Sequence, residues 1–345
     1  MSFRVACGVV LALCAERTLA SCAYGTSLFP RAEGEIKVNT FGYSGAIGPT
    51  NWHRLDVAAN SLCATGAHQS PIDMVEGAFS VIPASDLSIE IPDFSNGTEF
   101  ENLGTTVEVI APGGTMSIAG VEHTLQQFHF HLPSEHLDNG LSRAMEMHMV
   151  WEGPEGQIAV IGTYIDVSDG SAADAPAEAP AETPAEIPTE TPQPTPEAET
   201  ATGMTGGFFI PAQVRKERMI RRERARRQAI SRRQEAPAAP AGTTALLETV
   251  LSSVGQISTA GTSVRTGPLI MSEVVDIINS GSFQTYSGSL TTPPCSEGVR
   301  WLVSDQVLSV QLSTFNSARS VIGFNARFPQ NFLNLATPAV ATPAE

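Results

Sequence analysis

Two stretches decide how this chain reads: Gln126-Gln127-Phe128-His129-Phe130-His131-Leu132-Pro133-Ser134-Glu135-His136, and Met145-Glu146-Met147-His148-Met149-Val150-Trp151. Residues two apart on a strand point to the same face. His129 and His131 therefore share one face, with Phe128 and Phe130 on the other. Glu146, His148 and Val150 share a face, with Met145, Met147 and Met149 opposite. Asp138-Asn139-Gly140 between the runs is a strong reversal signal. Pairing the two runs brings a third imidazole to the first two. Three neutral imidazoles that leave one position open make the ligand set of a catalytic zinc. A histidine on a strand is by itself more often a satisfied core or surface residue, so the spacing leaves both readings open.

These residues carry a resemblance. Gln127-Phe128-His129-Phe130-His131, then Ser134-Glu135-His136, then Glu146-x-His148-x-Val150 resemble the zinc motif of the alpha-class carbonic anhydrases. Tyr286-Ser287-Gly288-Ser289-Leu290-Thr291-Thr292-Pro293-Pro294-Cys295 is similar to a second segment of that family. Motifs agree in order from about Phe41 to Gln330, apart from one long insertion. The resemblance implies a mainly β fold with short peripheral helices (α+β): one large, mostly antiparallel twisted sheet. It implies reversible hydration of carbon dioxide to bicarbonate and a proton on Zn2+.

Carried over residue by residue, His129, His131 and His148 match the zinc ligands. Gln127 and Glu146 match the residues that accept hydrogen bonds from ligand imidazoles, and Tyr43 lines the polar wall. Thr291 matches the threonine that links the nucleophile to a buried carboxylate, here Glu135. His136 is grouped with these catalytic residues. Val150, Val160, Leu290 and Trp301, with Thr292 on the floor, match the carbon dioxide site; without the resemblance, Val150, Val160 and Leu290 would read as plain core. Asn102-Leu103-Gly104-Thr105 stands where fast relatives carry a histidine that shuttles protons. Threonine cannot carry a proton near neutral pH, so the resemblance implies an impaired shuttle at Thr105. Secreted relatives often bridge the positions of Cys63 and Cys295.

The rest of the chain bounds this reading. The 345 residues are 42% apolar, enough for a sizeable core, and carry a net charge of −16, which makes nucleic acid a poor partner. Residues 1–22 read as a secretory signal, with Arg4 before an apolar run too short to span a bilayer and small-residue cleavage sites after Ala20 or Ala23. Leu19-Ala20-Ser21-Cys22 also resembles a lipoprotein box. No later segment reads as transmembrane. The expected location is secreted, extracellular or periplasmic, which favours a Cys63–Cys295 disulfide.

The carbonic-anhydrase-like domain is expected in two parts, 35–167 and 243–333, with a loose tail at 334–345. Between them, residues 168–242 begin rich in Ala, Pro, Glu and Thr, a composition that cannot bury a core. Residues 213–235 then carry ten Lys and Arg against three Glu. That basic stretch reads as a solvated helix, as a contact for an acidic surface, or as a processing site at Arg224-Ala225-Arg226-Arg227. A metal-free binding relative and a wall or mineral matrix protein are the rival readings. All three histidines are present, which argues against the first.

Overall fold

The computed structural model describes residues 23–27, 29–30, 36–168 and 243–330. They fall in one compact unit drawn from residues 1–170 and 239–345. The predicted signal at 1–22, the acidic and basic insertion up to residue 242 and the tail at 334–345 lie outside the described residues.

The strands are β1 (Asp73–Met74), β2 (Ser80–Pro83), β3 (Ile89–Glu90), β4 (Glu99–Asn102), β5 (Val107–Ile110), β6 (Thr115–Ile118), β7 (Val121–His131), β8 (Leu137–Asp138), β9 (Met145–Glu152), β10 (Ile158–Ser168), β11 (Ser263–Arg265), β12 (Ser282–Ser289) and β13 (Glu297–Gln311). The helices are α1 (Trp52–Leu55), α2 (Leu62–Thr65), α3 (Ala245–Leu251), α4 (Met271–Asn279) and α5 (Leu312–Ile322). The main sheet has eleven strands, running β11-β4-β5-β7-β9-β10-β13-β12-β2, with β3 and β6 joined at β7. Its pairs are antiparallel except β10 with β13. The expected mainly β class with short helices is the one observed.

The centre of the sheet follows the two-residue alternation. On β7 and β9, Phe128 pairs with Met149 and Phe130 with Met147, all buried in the main core. A buried side chain of this size contributes about 1.5–3 kcal/mol. α3 and α4 close that core, because their apolar residues recur at helical spacing: Leu246, Leu247, Val250 and Leu251 on one, Met271, Val274 and Ile278 on the other. The opposite face of β7 and β9 carries the histidines.

Asn139 and Gly140 both have positive φ, 51° and 81°, and Asp138 and Leu141 exchange main-chain hydrogen bonds. This is the predicted tight reversal. It sits within the connection from residue 132 to 144 rather than joining β7 directly to β9, and that connection also holds β8, paired with β1.

The insertion leaves and returns at one place. Ser168, ending β10, pairs with Gln311 of β13. Thr244 donates its N–H to Ser309 O of the same strand at 2.8 Å and accepts the Ser309 N–H at 3.2 Å. Anchoring both ends to one strand keeps them close, and closure cost rises only slowly with loop length.

Cys63 on α2 is bonded to Cys295, 232 residues later. Cys295 N donates to Thr292 O and Cys295 O accepts from Gln69, so the bond fixes the turn that carries Thr291 and Thr292. Closing so long a loop contributes about 4–5 kcal/mol by chain entropy. Replacing Cys63 by Ser is expected to lower unfolding free energy by about 2–5 kcal/mol. Chemical denaturation of both proteins at equal metal loading measures it, and equal midpoints would refute it.

Candidate metal centre and active site

Antiparallel register sets His129 of β7 directly opposite His148 of β9, and His131 opposite Glu146. The three imidazoles are fully buried, with ring centroids 4.5 to 5.3 Å apart. Each ring commits one nitrogen to an acceptor. His129 Nδ1 donates to Gln127 Oε1 at 2.8 Å, His131 Nδ1 to the Asn325 carbonyl at 2.8 Å, and His148 Nε2 to Glu146 Oε1 at 2.9 Å. The remaining nitrogens, His129 Nε2, His131 Nε2 and His148 Nδ1, have no hydrogen-bond partner. They lie within 4.8 Å of one another.

Three orphaned nitrogens converging in a buried space would cost several kcal/mol if left so. A divalent ion removes that cost, and the donor set suits zinc with one position open. Ligand imidazoles must be neutral. Burial, reinforced by the neighbouring rings, pushes His129 well below its usual range and His131 down to about 3; burial also lowers His148 against the opposing pull of Glu146.

Glu146 holds the arrangement. Burial pushes its carboxyl up, but His136 and His148 outweigh that and keep it well below the usual range. Its Oε1 also accepts from His136 Nδ1 at 2.6 Å, and its Oε2 accepts the N–H groups of Glu135 and His136 at 2.9 and 2.8 Å. His136, Glu146 and His148 could by distance form a second metal group, but these hydrogen bonds already satisfy it. Gly162 faces His148 across β9 and β10, and a Cβ there would come within 2.8 Å of Glu146 Oε1. The glycine gives the carboxylate its room.

His136 is the residue that the sequence reading grouped with the catalytic ones. Both ring nitrogens are engaged, Nδ1 with Glu146 and Nε2 with the Tyr286 hydroxyl at 2.8 Å. Through Nδ1 and its backbone N–H it holds both oxygens of Glu146.

Glu135 links the trio to further predicted residues: it lies 3.4 Å from His131 Nδ1. Thr291 donates its hydroxyl to Glu135, whose Oε1 accepts the Arg327 N–H at 2.8 Å. Burial pushes Glu135 well above its usual range against these two donors. A divalent charge in the same low-dielectric space acts in the other direction. Thr292 is buried beside Thr291. Tyr43 packs edge-on to Trp52 and, with Glu135 and Arg327, lines a cavity of about 350 Å³.

Val150, Val160, Leu290 and Trp301 gather into one apolar cluster with Ile158 and Val299. β9 places Val150 two residues from His148, and the Trp301 ring centroid is 4.8 Å from that of His148. The wall thus adjoins the imidazoles.

Sequence reasoning gave no site role to four participants. Asn325 orients His131 through a backbone carbonyl, which leaves no side-chain signature. Arg327 binds Ser70 O at 2.7 Å and Gln69 Oε1 at 3.0 Å. Ala23 and Phe29 join the apolar cluster.

The comparisons with known proteins follow this geometry. A family model described as eukaryotic-type carbonic anhydrase matches residues 47–172 and 238–334. The chain belongs to that family. It is 29% identical over 282 residues to a carbonic anhydrase of Pectobacterium carotovorum, covering 80% of this chain and 82% of that one. It is similar to the fungal alpha carbonic anhydrase structure from Aspergillus oryzae at 29% identity and TM-score 0.62, covering 86% of this chain and 95% of that one. Dioscorin complexed with ascorbate shares the fold at 20% identity and TM-score 0.55, covering 85% of this chain and 94% of that one.

The depressed His131 pKa has a consequence for the metal-free carbonic anhydrase. Below about pH 6.5 the unfolded chain takes up a proton at this residue that the folded chain refuses until about pH 3. Stability is therefore lost as pH falls through that window, by about 2 kcal/mol at about pH 5 relative to neutral. Urea midpoints of metal-free wild type and His131→Asn against pH test this: the wild type should fall more steeply, and parallel curves would refute it.

Proposed function

We propose that this carbonic anhydrase is zinc-dependent and hydrates carbon dioxide reversibly to bicarbonate and a proton. The observation that carries this is the convergence of the three partnerless ring nitrogens beside an apolar wall on one side and a hydroxyl–carboxylate pair on the other. His129, His131 and His148 would hold the metal. Bound there, zinc supplies a water acidic near neutral pH.

The chain's own residues supply orientation. Glu135 accepts the Thr291 hydroxyl hydrogen, so the Thr291 oxygen is left to accept one from the attacking oxygen. That contact aims a lone pair at the carbon, a positioning effect. Arg327 N–H fixes Glu135 from behind. Carbon dioxide carries no charge or hydrogen-bond donor, so Val150, Val160, Leu290 and Trp301 suit it by apolar contact. The oxygen of water becomes a bicarbonate oxygen, and one proton must leave.

Proton departure is the slow step in this reading. Thr105 is buried, and its hydroxyl accepts from Asn39 Nδ2 at 2.7 Å. It cannot relay a proton as imidazole does. Export of the protein accords with its predicted signal and with the Cys63–Cys295 bond.

Stopped-flow carbon dioxide hydration with zinc quantified tests the reading. Wild type should bind about one zinc per chain, and His148→Ala should lose metal and more than about 100-fold in kcat/KM. A metal-free, inert wild type would refute it. Thr105→His, or added imidazole buffer, should raise kcat at saturating carbon dioxide; no change from either would show that proton transfer is not limiting through this position.

A further inference from the structure

The apolar wall is covered by the chain's own N-terminal residues. Residues 23–27 and 29–30 form a tight double turn. Thr26 donates both its N–H and its hydroxyl to Ala23 O, at 3.2 and 2.7 Å. Phe29 donates to Thr26 O at 3.1 Å, and Gly25 to Phe29 O at 2.9 Å. Gly25 sits at φ 92°, a conformation that glycine takes without strain.

This turn is seated. Ala23 is 0% exposed and Phe29 8%, and both pack in one cluster with Val150, Ile158, Val160, Leu290, Val299 and Trp301. Tyr24 and Thr26 are buried as well. At the outer edge the Ser27 N–H donates to Glu152 Oε1 at 2.9 Å, and the Ser27 hydroxyl reaches the same oxygen. Glu152 ends β9, two residues beyond Val150.

Among the described residues, main-chain hydrogen bonds within the turn join Gly25 to Phe29, Thr26 to Ala23 and Phe29 to Thr26. Side-chain burial and the Ser27–Glu152 contact join it to the sheet, and none of its described residues forms a strand. A unit held this way can leave without opening the sheet's hydrogen-bond ladder. Cleavage of the predicted signal after Ala20 would keep the whole turn, whereas cleavage after Ala23 would remove the acceptor of both Thr26 hydrogen bonds and leave Tyr24 and Phe29 in the chain.

We propose that residues 23–27 and 29–30 form an intramolecular plug, which competes with carbon dioxide for the apolar wall and holds the enzyme in a low-activity form until it is released. The inference rests on the assignment of that wall to carbon dioxide. A competitor of this kind lowers apparent substrate affinity by the fraction of molecules left open. It leaves the turnover of bound substrate unchanged.

Three zinc-loaded variants test it against the wild type: Glu152→Ala, which removes the acceptor for Ser27; Phe29→Ser, which removes the main apolar contact; and deletion of residues 23–30. The plug predicts a lower KM for carbon dioxide at unchanged kcat, with kcat/KM rising about tenfold for the deletion if about 90% of wild-type molecules are covered. In metal-free protein, anilinonaphthalene sulfonate fluorescence should rise in the same variants as the wall is uncovered. Variants that unfold cooperatively yet show unchanged KM and unchanged dye binding would overturn the proposal and make the segment structural. If the deletion does not fold, the two full-length variants decide. If zinc-loaded wild type and variants all fail to hydrate carbon dioxide, the functional assignment fails; dye binding then decides whether the segment covers the wall.

Discussion

The site depends on one buried carboxylate. Glu146 has no access to water, and removing its charge from solvent costs several kcal/mol. Four donors offset that: two imidazole N–H groups, from His136 and His148, and two backbone N–H groups, from Glu135 and His136. At about 1.5–3 kcal/mol for each charged hydrogen bond, the gain matches or exceeds the cost. The result is more than stability. One oxygen sets the tautomer of His148, so that Nδ1 is presented as a lone pair; the other pins the loop that carries Glu135. The metal position and the hydroxyl–carboxylate pair are thereby registered to the same group.

From Glu146 the polar order runs outward. Glu146 is acceptor-only, so His136 Nδ1 donates. His136 Nε2 lies 2.8 Å from the Tyr286 hydroxyl, which in turn shares a hydrogen bond with the Ser70 hydroxyl at 2.8 Å. Burial pushes the Tyr286 hydroxyl well above its usual range despite its Ser70 hydrogen bond, which keeps its proton in place. Arg327 ties Ser70 and Gln69 to Glu135, and Gln69 reaches Cys295 O beside the disulfide. Segments far apart in sequence thus meet on one network. The Phe128, Phe130, Met147 and Met149 layer behind the sheet keeps the strands that carry it in register.

Much of this was legible in the chain. Two-residue alternation of His with Phe and of His with Met fixed which face each imidazole takes, because strand geometry leaves no other choice. Gln127 and Glu146 were marked by the family resemblance; each lies two residues before the histidine it binds, on the same face. What escaped was long-range or carried by backbone: the Asn325 carbonyl on His131, the positioning role of His136, and the seat of Ala23 and Phe29. None of these has a local pattern. Each arises only when the sheet brings residues more than a hundred positions apart together, or when a loop folds a main-chain group inward.

The central claim is that three ring nitrogens and one open position make the metal centre. X-ray absorption at the zinc edge of the purified, metal-loaded protein tests it most directly. Three nitrogen donors and one oxygen at about 2.0–2.1 Å, with no sulfur, are predicted. A sulfur neighbour at about 2.3 Å, or a six-oxygen shell, would contradict it.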